Sequence, residues 1–249
     1  MSIHKITSLQ HPYVKHLVKL RENRDYRYLS QSVVLSGLKL IKELSSQFHF
    51  HSVLLEEGFT PPFAVEAENR YCVTKQIINK ISGVEQSEPI IAEIAMPKVQ
   101  DLSSANFLLI LDRVSDPGNL GTLLRNALGL GWEGVFLTLD STDPFNDKAI
   151  RAAKGATFKI PWKSGTFEEI VALLKKKNMK LYAADAHGKD FANFRFSAPL
   201  ALVLGNEAHG LSADFKKRAE MIAIPMKGQV ESLNVASAGA IMMYEMRMS

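Results

Sequence analysis

Leu200-Ala201-Leu202-Val203-Leu204 runs without a break into Gly205-Asn206-Glu207-Ala208-His209-Gly210. Five apolar residues in a row are the signature of a strand covered on both faces, as in a parallel sheet flanked by helices. The residues that follow are poor core formers, and they stand at the strand's carboxyl end, where open α/β sheets place their chemistry. The same pattern recurs on either side. Phe107-Leu108-Leu109-Ile110-Leu111 leads into Asp112-Arg113-Val114-Ser115-Asp116-Pro117-Gly118-Asn119-Leu120-Gly121, with Arg125 beyond. Met221 to Ile224 leads into Pro225-Met226-Lys227-Gly228, and Ser232-Leu233-Asn234-Val235-Ala236 opens the last apolar segment. Four polar clusters at four chain reversals mark one functional surface.

Between these points strands and helices alternate. Expected strands are 107–111, 134–139, 158–162, 179–184, 200–204 and 221–224. Expected helices are 120–130, 147–154, 166–177 with Thr166 as N-cap, one between the last two strands, and 233–247. Strict alternation predicts a mostly parallel sheet with helices on both faces. A smaller α/β unit precedes it: a helix from His11 with Pro12 in its first turn, strands at 32–35, 52–55, 70–74 and 90–95, and helices at 38–44 and 76–81. The polar, aperiodic stretch 96–106 separates the two. The expected organisation is thus a domain at 1–97, a linker at 98–106 and a second domain at 107–249.

The composition is that of an ordinary globular protein, 46% hydrophobic and 22% charged. Net charge is +4, but residues 1–50 carry eight Lys or Arg against three acids and also hold His4, His11, His16 and His49. A basic leading segment suits a nucleic-acid partner, and a solvated helix face explains the charge equally well. Lys15, Lys19, Arg21 and Arg24 are the candidate nucleic-acid contacts. The single cysteine, Cys72, rules out an internal disulfide or a thiolate metal site and reads as a small core residue. The start lacks the apolar core of a signal peptide, and no apolar run approaches the roughly 20 residues that span a bilayer. These features predict a cytoplasmic chain with no membrane partner.

Several chemistries lack their residues. The turn after 107–111 is not Gly-x-Gly-x-x-Gly, no phosphate-cradling Gly-x-x-x-x-Gly-Lys is present, and the histidines show no metal-ligand spacing. No metal is expected, and no nucleophile elbow is present. Gly118-Asn119-x-Gly121 at a helix start offers an anion site, with Asn119 also a candidate N-cap. Arg125, six residues on, is expected to point back at the same loop or to form a surface ion pair. Glu207 reads as a functional carboxylate at the sheet edge or as a plain helix N-terminal acid. Gly205 reads as a place where a ligand approaches the backbone.

Asp112 to Arg125, Leu202 to Gly210 and Ile224 to Ala236 resemble, in order and spacing, the three motifs of the SpoU family of RNA ribose 2′-O-methyltransferases, TrmH-like members of the SPOUT superfamily. The leading segment, with Ile6-Thr7-Ser8 before His11-Pro12-Tyr13-Val14-Lys15, is similar to the ribosomal-protein-like substrate-binding domain often joined to this one, though Ser36-Gly37 stands where the family often has Glu-Gly. The resemblance implies a C-terminal α/β domain with a deep trefoil knot that holds S-adenosylmethionine. It implies Gly205, Ile224, Met226 and Leu233 around that cofactor. Asn119, Arg125, Glu207, Ser232 and Asn234 become the catalytic and RNA-positioning set, and a homodimer through this domain is expected; Met242, Met243 and Met246 fit a dimer contact and a core role equally well. Structured RNA is the implied substrate, 23S-type ribosomal RNA ahead of tRNA. Because a guanidinium keeps its proton, Arg125 is expected to clamp phosphate and stabilise a developing alkoxide rather than act as a base. A non-catalytic RNA-binding or ribosome-assembly factor, and a methyltransferase acting on a base or small molecule, are the rival readings.

Overall fold

The computed structural model describes residues 3–228 and 232–248. The chain divides into one unit of Met1–Pro97 with Phe145–Ile150 and another of Lys98–Pro144 with Arg151–Ser249.

The first unit begins with strand β1 (Ile3–Ile6), followed by helices α1 (Pro12–Glu22) and α2 (Arg24–Ser30). Strand β2 (Ser32–Ser36), helix α3 (Leu38–Leu44), strands β3 (Phe50–Glu56) and β4 (Ala67–Val73), helix α4 (Lys75–Ser82) and strand β5 (Ile90–Ala95) complete it. The sheet order is β1-β4-β3-β5-β2. β1, β4 and β3 run parallel, whereas β5 is antiparallel to both β3 and β2. Val14, Leu17 and Leu20 of α1 join Ile77, Ile78 and Ile81 of α4 against Leu54, Val73 and Ile91 of the sheet. Pro12 occupies the first turn of α1, as its fixed φ favours.

Two elements here go beyond the sequence expectation. β1 is an edge strand with three of its four residues exposed, so it carries no alternating pattern. α2 (Arg-Asp-Tyr-Arg-Tyr-Leu-Ser) lacks apolar periodicity. Its ends define it instead: Asn23 caps the start by accepting from the Tyr26 N–H at 2.8 Å, and Gln31 stops it in the left-handed region.

From residue 98 onward the chain runs β6 (Phe107–Leu111), α5 (Pro117–Gly129), β7 (Gly134–Thr138), α6 (Asp147–Ala153, whose first four residues group with the first unit), β8 (Trp162–Gly165), α7 (Phe167–Lys176), β9 (Lys180–Asp190), β10 (Leu200–Leu204), α8 (Ala213–Lys216), β11 (Glu220–Ala223) and α9 (Val235–Met248). The second unit's sheet, ordered β11-β9-β10-β6-β7-β8, is parallel throughout. Leu108, Ile110, Ala201 and Val203 pack with Ile170, Leu174 and Phe215 of α7 and α8. The alternate residues Leu109, Leu111, Leu202 and Leu204 are equally buried, and α5 and α9 pack together. Gly239 of α9 lies where a Cβ would stand 2.6 Å from side-chain carbons of Leu123 and Leu204, so a larger residue there would force these leucines to move.

The structure corrects several expectations. Residues 158–162 are not a strand; Ala156–Phe158 is a 3-10 turn and the strand is Trp162–Gly165. The stretch 98–106 belongs to the second unit, with Leu102 and Ala105 buried in its core. α5 begins at Pro117 and is capped by Asp116, whose carboxylate accepts from the Asn119 N–H at 2.8 Å; Asn119 lies within the first turn and is not the cap. Of the two readings of Met242, Met243 and Met246, their burial within the chain agrees with the core role.

Candidate active site

Order along the sheet decides where the loops meet. β6, β7 and β8 extend in one direction, the chain then crosses to β9, and β10 fills the place between β9 and β6. The switch point therefore lies between β6 and β10, so the turns that follow these two strands become neighbours. Asp112 N–H donates to the Leu204 carbonyl at 2.8 Å, carrying the contact past the strands, and the Asp112 carboxylate, almost fully buried, accepts from the Ser212 N–H at 2.6 Å. Arg113 takes a φ of +59°, an uncommon conformation for a residue with a side chain, as the chain turns away from β6.

The second turn is built around Asn206. Its backbone pairs with Gly210 in both directions, at 3.0 and 2.9 Å. Its side-chain amide donates to the Arg113 carbonyl at 2.7 Å and to Ser115 Oγ at 3.3 Å, while its Oδ1 accepts from the N–H groups of Ala208 and His209. Gly205 is enclosed by this turn. A Cβ there would lie 2.5 Å from the Gly210 carbonyl carbon and 2.6 Å from the Leu211 nitrogen. The glycine thus answers first to the chain's own backbone rather than to ligand approach alone.

Glu207 is neither a helix N-terminal acid nor a free carboxylate. It sits in the turn and accepts four hydrogen bonds, from Ser115 N–H at 3.1 Å, Ser115 Oγ at 3.0 Å, Asp116 N–H at 3.2 Å and Asn119 Nδ2 at 2.9 Å. Desolvation pushes its carboxyl pKa up, but hydrogen bonds from Asn119, its own backbone, Ser115 and Asp116 outweigh that and hold it below the ordinary value. The anion expected at the start of α5 is accordingly this side chain. Asn119 continues the chain of bonds: its Oδ1 accepts from Asn234 Nδ2 at 3.0 Å. Asn234 also caps α9, its Oδ1 accepting from Ala236 N–H at 2.9 Å, so α9 begins at Val235 and not at Leu233.

A cavity of 460 Å³ opens beside this network. One wall comes from an irregularity in β9. Met221 pairs with Ala183, but the next residue, Ile222, pairs with Lys189, so the intervening residues of β9 leave the ladder. Ala184, Asp185 and Ala186 line the cavity from there. Leu204 to Glu207 line it from the β10 turn, Ile224 and Met226 from the segment after β11, and Ser232 to Val235, Ala238 and Met242 from α9 and its approach. A second cavity of 450 Å³ is bordered by Asn119, Thr122 and Asn126 of α5 and by Ser237 of α9; Asn234 borders both cavities.

Of the residues singled out from sequence, Gly205, Glu207, Ile224, Met226, Ser232, Leu233 and Asn234 surround the first cavity together. Asn119 borders the second. Residues expected to face the donor and residues expected to face RNA thus share the first cavity, while Asn119 and Asn234 both border the second. Arg125 stands apart, exposed, bordering neither cavity and without a hydrogen bond or ion pair among the described residues. Six residues of α-helix turn the side chain about 120° away from Asn119, which is why it does not point back at the loop. Ser115, Asp116, Asn206 and the wall at Ala184–Ala186 were missed. Asp116-Pro117 is a recognisable cap followed by a first-turn proline, whereas nothing in Ala183-Ala184-Asp185 announces a break in pairing.

Residues 106–244 match the model of the SpoU rRNA Methylase family. The chain belongs to that family. Among similar SpoU-type proteins, the 23S rRNA (guanosine(2553)-2′-O)-methyltransferase RlmP of Bacillus subtilis (strain 168) is 31% identical over 98% of this chain and 99% of its own. The 23S rRNA (guanosine-2′-O-)-methyltransferase RlmB of Pectobacterium atrosepticum is 29% identical over 94% of this chain and 95% of its own. Among solved structures, an AdoMet-bound rRNA methyltransferase from Sinorhizobium meliloti superposes with a TM-score of 0.86 at 26% identity, covering 99% of this chain and 98% of that one. Among the described residues of this SpoU-family chain, no helix is long and apolar enough to cross a membrane.

Proposed function

We propose that this chain methylates a ribose 2′-OH of structured RNA, 23S-type ribosomal RNA ahead of tRNA, using S-adenosylmethionine as donor and working in the cytoplasm as a homodimer. The observation that carries this reading is a pair of cavities that meet at one hydrogen-bonded amide pair, with the donor compartment at the carboxyl ends of β10 and β11 and the break in β9. Its 460 Å³ lies within the range of about 300–1,000 Å³ that small-ligand pockets occupy. Its walls fit the donor: Leu204, Ile224, Leu233 and Met242 provide apolar surface, while Asn206, Glu207, Ser232 and Asn234 provide polar groups. Gly205, Ile224, Met226 and Leu233 would hold the cofactor, which supplies an electrophilic methyl group when bound.

The residues of the chain then have distinct tasks. Glu207, already accepting four hydrogen bonds and held ionised, is a poor proton acceptor; it locks the turn at Ser115–Asp116 onto the turn at Asn206. That lock fixes Asn119, and Asn119 fixes Asn234. The two amides and Ser232 position the ribose and its phosphate at the mouth between the compartments. Arg125 clamps phosphate and offers a permanent positive charge to the developing alkoxide. Its exposure, away from its own cavity, supports service to a second copy. Exposed Leu128 on α5 and Ile241, Tyr244 and Met248 on α9 provide apolar surface for that pairing. The proton passes to water or phosphate.

The test is transfer of a labelled methyl group from S-adenosylmethionine to rRNA and, separately, tRNA from cells lacking this gene, followed by alkaline digestion. A 2′-O-methyl group protects its phosphodiester, so label in alkali-stable dinucleotides of rRNA is the expected result. Label on a base, or none in either RNA with a folded protein, would overturn the proposal.

A further inference from the structure

The first unit carries a chain of aromatic rings that the methyl-transfer site does not use. His4 of β1 and Tyr71 of β4, opposite each other in the parallel ladder, have ring centres 6.1 Å apart. Tyr71 lies 5.0 Å from Tyr13 of α1, Tyr13 stacks 5.6 Å from His16 one turn on, and His16 meets Tyr26 of α2 edge-on at 5.7 Å. Lys19 ends the row, its Nζ 4.2 Å above the centre of the Tyr26 ring. His4 and Lys19 are exposed, and the four rings between them are half-buried.

The row is held from beneath. Glu93, buried in β5, accepts hydrogen bonds from the Tyr13 hydroxyl and from His16 Nε2 at 3.1 Å. The Tyr13 hydroxyl also bonds Ser52 Oγ, and His16 Nδ1 bonds the Tyr26 hydroxyl at 2.9 Å. The polar edges of Tyr13, His16 and Tyr26 are therefore engaged with one another and with the carboxylate. Tyr13, Tyr26 and Tyr71 also pack against the core of the unit, so a partner meets only the partly exposed remainder of each ring, fixed before binding, and little side-chain freedom is lost on contact.

We propose that this row is a stacking platform for unpaired bases of the RNA substrate, with Lys15 and Lys19 meeting the adjoining phosphates. This rests on the reading of the chain as an RNA methyltransferase and specifies how its first unit takes hold: an unpaired segment rather than a duplex. Charge complementarity selects a nucleic acid over an apolar protein surface. Lys15 and Lys19, exposed and four residues apart on α1, flank His16 in sequence, and one of them already covers a ring of the row. A single strand supplies π-faces and phosphates in alternation, the combination that aromatic and cationic side chains recognise together.

The experiment compares binding of a fluorescent, unstructured 12-mer RNA and a 12-base-pair RNA duplex to the full-length protein. Variants are Tyr71→Leu, Tyr26→Leu and the ring-preserving Tyr71→Phe and Tyr26→Phe, each checked by thermal unfolding and by titration with S-adenosylmethionine. The expected result is a loss of roughly five- to a hundredfold in affinity for the single strand with each leucine. Duplex and cofactor affinity should be unchanged, and phenylalanine should restore single-strand binding. Leucine variants that are folded and bind the single strand as the wild type does would overturn the proposal. So would equal losses on both RNAs, or self-association of the wild type that the leucines abolish. Methyl transfer by the wild type is read separately. If it fails while the ring dependence holds, the enzymatic reading falls and the platform stands; if transfer succeeds without ring dependence, the platform alone falls.

Discussion

Glu93 and Glu207 are two carboxylates used in opposite ways. Glu93 is buried under the helices of the first unit, where desolvation raises its pKa but hydrogen bonds from His16, Tyr13 and Ser32 and the nearby imidazole more than offset that. Glu207 lies in an exposed turn of the second unit, and two of its partners are backbone N–H groups ahead of a helix. Both are held below the ordinary carboxylate value. One satisfied carboxylate fixes a row of rings; the other fixes a loop at the edge of a cavity. The difference teaches that a buried acid can fix a row of rings in one unit while an exposed one fixes the loops of the candidate site in the other, so burial alone does not separate the two.

Glu207→Gln should produce the largest effect. An amide cannot accept from all four donors, so the Ser115–Asp116 turn loosens and Asn119 shifts. Methyl transfer to rRNA should fall about a hundredfold in single-turnover assays, the scale expected when positioning is lost. Near wild-type rates would remove Glu207 from the account. Glu93→Gln should act on the other side of the comparison, lowering unfolding free energy by about 1.5–3 kcal/mol in denaturant titration, with S-adenosylmethionine affinity unchanged.

Acid should reveal both carboxylates. Each folded pKa lies below the unfolded one, so the stabilisation is complete above the unfolded value of about 4.3 and is lost as pH falls through the lower folded values. Unfolding measured against pH should steepen below about pH 4.3 in the wild type and flatten in Glu93→Gln. An unaltered acid limb in that variant would contradict the role given to Glu93. The smallest effect is expected from neutralising Lys15, Lys19, Arg21 and Arg24 together. RNA binding should weaken and its log–log salt slope fall by about 0.7 for each phosphate contact removed on a single strand. Cofactor affinity should not move, and an unchanged slope would exclude this patch.

How much of this was legible in sequence follows from how local each feature is. The partners of Glu207 occupy one short stretch, Ser115 to Asn119, beside an apolar strand and a proline, so the site's loops could be read directly. The partners of Glu93 are scattered over Tyr13, His16 and Ser32, and only the sheet brings them together. α2 escaped because caps rather than periodicity define it, and β1 because an exposed edge strand has no alternation. The irregularity of β9 that forms the wall at Ala184–Ala186 depends on its pairing with β11, which no local pattern records. Arg125 was legible as a residue but not in its direction, since helical phase carries it away from Asn119.

The central claim is that the Asn119–Asn234 pair divides a donor compartment from an acceptor compartment. Its most direct test is Asn119→Ala, measured by calorimetric titration with S-adenosylmethionine and by the single-turnover rate of methyl transfer to rRNA. The prediction is a donor Kd within about twofold of wild type and a transfer rate lower by about a hundredfold. A Kd that weakens in step with the rate, or a rate that does not change, would contradict the division.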